Sequence, residues 1–254
     1  MASSLDEMLD NIMAACGGRA DEALGRGDAL FAQGQFHKAL VHFMAAKKLR
    51  PGAECDYRIG LAYWRVGDLA SARGAFEQAV QAKENFGEAQ CELGRVYLAL
   101  GNIQSAIAHA RRAVEIAPDN RDFAVAWASV LEADGQSDAA GEIVARILRG
   151  GDASVDLALV FARLAPGLHR EEHALELIAQ NLRQSSGSAQ RSALHFAAAN
   201  LLDRLGRYDE AFEQATDANA LRGVRYDPPQ VEASFQHWID CFDRAAVARM
   251  PRAT

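Results

Sequence analysis

Small residues recur in this chain at a fixed interval. Gly27, Gly60 and Gly94 stand 33 and 34 residues apart, and Gly34, Gly67 and Gly101 repeat the same steps. Ala39, Ala72 and Ala106 keep that register, as do Ala46, Ala79 and Ala113. Pro51 and Pro118 close the first and third units. A period of this length marks an array of supersecondary units, and it constrains the fold more than any other property of the sequence.

Each unit reads as two helices. The first runs to the middle glycine, which permits a tight turn, and the second packs back antiparallel. Gly60 and Ala72 fall where the two axes cross closely, with Tyr63, Leu69 and Phe76 filling the space beside them. A proline after the second helix stops it from continuing. One such hairpin cannot bury its apolar face alone, so neighbours must stack. A fourth unit keeps Trp127, Gly135 and Ala140 but has Ala128 where glycine is expected. A fifth keeps only the helical spacing of Leu157, Val160, Phe161 and Leu164. The polar stretch RQSSGSAQRS then reads as a loop, and a sixth unit returns with Gly206, Tyr208, Ala211 and Ala218.

Two amphipathic segments flank the array. Residues 1–16 predict a helix capped by Ser4 with Glu7 reaching back, and with Leu5, Met8, Leu9, Ile12 and Met13 on one stripe. Residues 228–249 predict a capping or linker helix with the stripe Val231, Phe235, Trp238, Ile239 and Phe242.

The order small–aromatic–small–Ala–aromatic–Ala–Pro at this period resembles the tetratricopeptide repeat family. The resemblance implies an all-α fold, a right-handed superhelical solenoid of antiparallel helix pairs over residues 20–222. Its units lie near 20–52, 53–86, 87–120, 121–150, a degenerate 153–184, and 189–222. It also implies a concave groove, lined by the first helix of each pair, that takes a protein or peptide partner. Carried over by repeat position, the groove residues are Phe31 and Asp28; then Tyr57, Arg58, Leu61, Trp64 and Arg65; then Cys91, Arg95 and Leu98; and finally Phe196, Asn200 and Arg204. Tyr, Trp and Arg are the types enriched at binding hot spots, which favours the second unit. The competing expectation is that Tyr57 and Trp64 pack on the adjacent repeat. Some members of the family clamp a C-terminal carboxylate with Lys and Asn. Leu24 and Asp28 stand at those positions here, and Asp28 repels a carboxylate, so chaperone tails are not expected as ligands.

Composition narrows the function further. Half the residues are hydrophobic, aromatics are few, and only six prolines interrupt the chain. The net charge is −7 with no concentrated basic patch, which argues against nucleic acid and anionic membranes as partners. No run of apolar residues is long enough to span a bilayer, and the acidic N-terminus is unlike a secretory signal. Cys16, Cys55, Cys91 and Cys241 have no metal-ligand spacing, and reduced thiols in a cytoplasm are expected. The stretch HREEH matches H-x-x-E-H, and an alternative reading is a metal-dependent hydrolase using His169 and His173 with Glu172 as base. Pro166 and Gly167 place His169 at a helix start in that reading. Neither a phosphate-binding G-x-x-x-x-G-K-[ST] loop nor G-x-S-x-G is present, so no catalytic site, cofactor or metal is expected.

The end of the array resembles a narrower group, the bacterial tetratricopeptide–sulfotransferase proteins. Asn219, Leu221, Arg222, Tyr226 and Asp227 carry that likeness, within residues 192–248. It implies a non-catalytic recruiting or regulatory region adjoining a sulfotransferase domain. Met250, Pro251 and Arg252 echo that family's phosphosulfate loop but lack its glycine, so this chain alone is not expected to transfer sulfate. A free-standing assembly adaptor that forms a homo-oligomer through its apolar end helices is the other alternative.

Overall fold

The computed structural model describes residues 2–151 and 153–222, with side chains from residue 5 onward. These residues form thirteen helices and no strand. Helix α1 (Ala2–Ala15) is followed by pairs: α2 (Ala20–Ala32) and α3 (Phe36–Leu49), α4 (Ala53–Val66) and α5 (Leu69–Ala82), α6 (Gly87–Ala99) and α7 (Ile103–Ile116), and α8 (Arg121–Ala133) and α9 (Ser137–Arg149). Then come α10 (Val155–Leu168), α11 (Glu171–Gln184), α12 (Ser188–Arg204) and α13 (Tyr208–Leu221). The all-α repeat architecture expected from the period is present. The C-terminal segment 228–249, with Tyr226, Asp227 and the Met250–Arg252 echo, lies outside the described residues.

One backbone device turns the chain between paired helices. Gly34, Gly67, Gly101, Gly135 and Gly206 all take the left-handed conformation, at φ 74° to 84°. The next N–H returns to the carbonyl five residues back, as from Asp68 to Tyr63 at 3.0 Å and from Asn102 to Tyr97 at 2.9 Å. This is the bond pattern that closes a helix C-terminus on a glycine. Asp68 and Asn102 then start the following helices, accepting from the Ser71 and Ser105 N–H groups at 3.0 and 3.2 Å. One residue thus ends a helix and the next begins another.

The small residues at the crossings have a direct steric cause. A Cβ on Gly60 would lie 2.6 Å from the ring of Phe76, and one on Gly27 would strike Phe43. In the third unit Ala110 replaces the aromatic, and the helix backbones approach instead: a Cβ on Gly94 would lie 3.1 Å from the Ala110 nitrogen. In the fourth unit Ala128 takes the glycine position and is fully buried, with the smaller Val144 in the aromatic's register position. Glycine at the crossing is therefore required where the facing residue is phenylalanine.

Three local expectations need correction. Helix α1 begins at Ala2, so Ser4 lies inside its first turn rather than capping it. The polar stretch 183–192 is mostly helical, with only residues 185–187 between α11 and α12. Ser192 there is buried, donating to the Ala218 carbonyl at 2.9 Å, which anchors an α12 one turn longer than its counterparts. Finally, Pro166 and Gly167 do not precede a helix. They belong to α10, and His169 is the residue that ends it.

The chain divides into two compact units between Arg170 and Glu171. The first holds α1 to α10 and the second begins with α11, so the degenerate fifth pair is split between them. In the first unit α1 packs on α3, burying Leu9 and Cys16.

Candidate partner-binding groove

In the first unit, first helices lie side by side, α6 against α8 and α8 against α10. Together with α4 they enclose a cavity of about 270 Å³. Its apolar lining comes from Trp64, Leu98, Val125, Ala126, Leu159 and Val160, and its polar lining from Arg95, Ser129, Asp156 and Arg163.

The charges around this cavity are matched in pairs. Arg95 donates to Asp156 at 2.9 Å and lies 3.9 Å from Glu92. Burial works against the Arg95 charge, but Glu92, Cys91 and Asp156 outweigh it and raise its pKa further. Burial pushes the Glu92 carboxyl above the usual carboxylate range, with Arg95 and Arg65 pulling the other way. Arg163 donates to Glu132 at 2.7 Å and to the Ser129 hydroxyl at 3.0 Å. The Arg95 Nε is buried and donates to nothing. An apolar floor with paired charges at its rim suits an uncharged side chain whose flanking main-chain carbonyls meet arginine donors.

The sequence-predicted residues separate into five sets. Trp64, Arg95 and Leu98 meet in the cavity. Phe31 and Arg65 meet each other, the guanidinium 5.7 Å from the ring centroid. Arg58 is tied to Asp28 at 2.8 Å and to Glu54, so the Asp28 carboxylate already has a partner. Tyr57 is wedged between Phe76 and Phe86, with ring centroids 5.8 and 5.1 Å away, and Leu61 packs against the buried cluster of Ala72, Phe76, Leu93 and Val96. Burial, reinforced by Glu92 and Glu88, pushes the Tyr57 hydroxyl up to about 12. Cys91 is buried, and burial pushes its thiol up to about 11. Phe196, Asn200 and Arg204 stand on α12 in the second unit. There Arg222 covers the Phe196 ring at 5.3 Å, beside a hollow of about 500 Å³, while Asn200 and Arg204 are exposed.

Eight lining residues fall outside the set expected from the sequence, among them Val125, Ser129, Asp156, Leu159 and Arg163. The period contains Val125, Ser129, Leu159 and Arg163. Stepping 34 residues from Cys91 gives Val125 and then Leu159, and from Arg95 gives Ser129 and then Arg163. The apolar stripe that identifies α10 in the sequence is its buried side, with Leu157, Val160, Phe161 and Leu164 all buried.

The two histidines of HREEH stand on different elements. His169 caps α10 in the left-handed conformation at φ 52°, and His173 lies in the first turn of α11. Glu172 pairs with Arg207 at 3.3 Å. Among the described residues, no group of three or more His, Cys, Asp or Glu side chains is placed to hold a metal ion. No described helix is long and apolar enough to cross a membrane.

Known proteins share this fold. Residues 57–121 and 91–155 match the tetratricopeptide repeat family model. The Hsp70-Hsp90 organizing protein of Triticum aestivum is 29% identical over 115 residues, 45% of this chain and 20% of that protein. The chain thus spans about a fifth of that relative's length. A tetratricopeptide repeat protein from Parabacteroides merdae superposes with a TM-score of 0.66 at 14% identity, covering 92% of each chain. The APC/C hetero-tetramer Cut9-Hcn1 gives 0.71 at 14% identity, over 87% of this chain and 43% of that one. A thermophilic repeat protein of Thermus thermophilus gives 0.58 at 21% identity, over 76% and 98%.

Proposed function

We propose that the array, whose residues 57–121 and 91–155 match the tetratricopeptide repeat family model, is a non-catalytic scaffold that binds a protein partner through an extended peptide in its first-helix groove. The cavity between Trp64, Leu98, Val125 and Leu159 is the observation that carries this reading. It takes one large apolar side chain of the partner, while Arg95 and Arg163 hold the chain on either side.

A random linear peptide library displayed on phage tests it. The expected selection enriches one bulky apolar residue in an otherwise polar sequence. Leu159→Glu places a charge in the cavity and weakens the selected peptides by roughly ten-fold or more, the size expected for a central anchor. Peptides that bind the wild type and Leu159→Glu equally would refute the site.

The sulfotransferase-like residues Asn219, Leu221 and Arg222 at the end of α13 support a narrower reading. In it the array is the recruiting or regulatory region of a sulfotransferase-type protein in the cytoplasm. A downstream reading frame with a phosphosulfate loop supports this; a frame encoding an unrelated domain removes it.

A further inference from the structure

The groove has an acidic edge. Asp21, Glu54, Glu88, Asp122 and Asp156 keep the same steps of 33 and 34 residues as the crossing glycines. Each stands in the first turn of a first helix, and each is exposed. Asp156 lines the cavity, so the row runs along its edge. An acid at a helix start complements the helix dipole. Dipole compensation does not account for the whole row, however. Side chains bond the first N–H groups of α5 (Asp68), α7 (Asn102), α8 (Asn120) and α10 (Ser154). Of these four, α8 and α10 line the groove, and they alone add an acid in the first turn.

Arginines hold three members of the row: Arg50 holds Asp21, Arg58 holds Glu54, and Arg95 holds Asp156. Glu88 on α6 and Asp122 on α8 pair with no cation among the described residues. Their charge reaches the groove floor. Burial raises the Glu92 carboxyl, and Asp156 and Asp122 raise it further. Burial raises the Tyr57 hydroxyl, and Glu92 and Glu88 add to that. The edge beside the cavity is therefore short of positive charge.

We infer that the groove takes a basic protein segment, whose apolar side chain fills the cavity while its lysine or arginine side chains meet Glu88 and Asp122. This rests on the peptide-binding reading above and adds the charge of the partner. Arg95 and Arg163 do not oppose such a segment, because Asp156 and Glu132 already offset them. Helices α6 and α8 lie side by side. Packed helices stand about 8–10 Å apart, and an extended chain advances about 3.3 Å per residue. The two basic residues therefore stand two or three positions apart in the partner.

The phage selection on the full chain tests this through the charge of the peptides it enriches. They are expected to carry the bulky apolar residue together with two Lys or Arg at that spacing. Labelled copies, followed by fluorescence anisotropy, should bind the double variant Glu88→Gln, Asp122→Asn roughly two- to twenty-fold more weakly than wild type, the size of two exposed ion pairs. Salt at about 0.5 M should remove most of that difference. Both substitutions keep the side-chain size at exposed positions, and circular dichroism melts check that the fold is kept. Neutral or acidic peptides that lose affinity for Leu159→Glu would overturn the inference and leave the groove reading standing. Equal binding of basic peptides by wild type and the double variant would also overturn it. Peptides indifferent to Leu159→Glu would remove both readings.

Discussion

His169→Gly should stabilise this protein. His169 is the one described non-glycine residue with a positive φ, at 52°. It stands 34 residues after Gly135, in the place glycine takes in the other turns, and the Arg170 N–H returns to the Ala165 carbonyl at 3.0 Å. A side chain in the left-handed region costs roughly 1–2 kcal/mol, because Cβ crowds the following carbonyl. Glycine removes that strain but gives the unfolded chain more freedom, which offsets about 0.4–1 kcal/mol. The imidazole is exposed, so its loss removes little packing. A net gain of about 0.8 kcal/mol remains, equivalent to about 2–3 °C in a unit of this size. Thermal unfolding by circular dichroism reads the gain globally, and exchange of the Arg170 amide reads it locally. His169→Ala keeps the Cβ and should show no gain. If His169→Gly is no more stable than wild type, or if His169→Ala matches it, the strain account fails.

Two glycine substitutions in the α4–α5 pair should move stability in opposite directions. Gly60→Ala drives a Cβ into the buried Phe76 ring and should cost about 1–3 kcal/mol, whereas Gly74→Ala, with nothing within 4 Å, should gain up to about 1 kcal/mol in a urea melt. The Tyr57 hydroxyl ionises near 10 when unfolded and near 12 when folded. Stability held below pH 10 is therefore lost as pH rises towards 12, and Tyr57→Phe should flatten that part of the melting-temperature profile. An acidic peptide ending in a free carboxylate should not bind in isothermal titration, because Leu24 is buried and the nearby cation, Arg58, is already engaged by Asp28 and Glu54; tight binding would refute this.

The fold was legible because its signal was redundant. Gly34, Gly67 and Gly101 mark the turns, and Gly27 and Gly60 the crossings, so two independent steric requirements repeat at one interval. The groove was legible only in part. Trp64, Arg95 and Leu98 come from units with a strong signature, but α10 has a histidine where the turn glycine is expected, and that weak signature hides Asp156, Leu159 and Arg163. Tyr57 shows a second limit. Tyrosine suits both a binding surface and an aromatic cluster, and only the positions of Phe76 and Phe86 show that its ring is packed between them. HREEH shows a third, since residue spacing along the chain does not reveal that a new helix starts between its two histidines.

The ion pair between Arg95 and Asp156 has a mechanical consequence. A stack in which each repeat touches only its neighbours bends like a soft spring. Arg95 sits on α6 and Asp156 on α10, with α8 between them, so their 2.9 Å contact is a strut across a repeat rather than a joint between adjacent ones. It ties two walls of the cavity together across α8. Both side chains are partly exposed, so dissolved salt screens the strut more than it weakens the apolar packing beneath it. Raising the ionic strength is therefore expected to loosen the span between α6 and α10, and with it the width of the cavity.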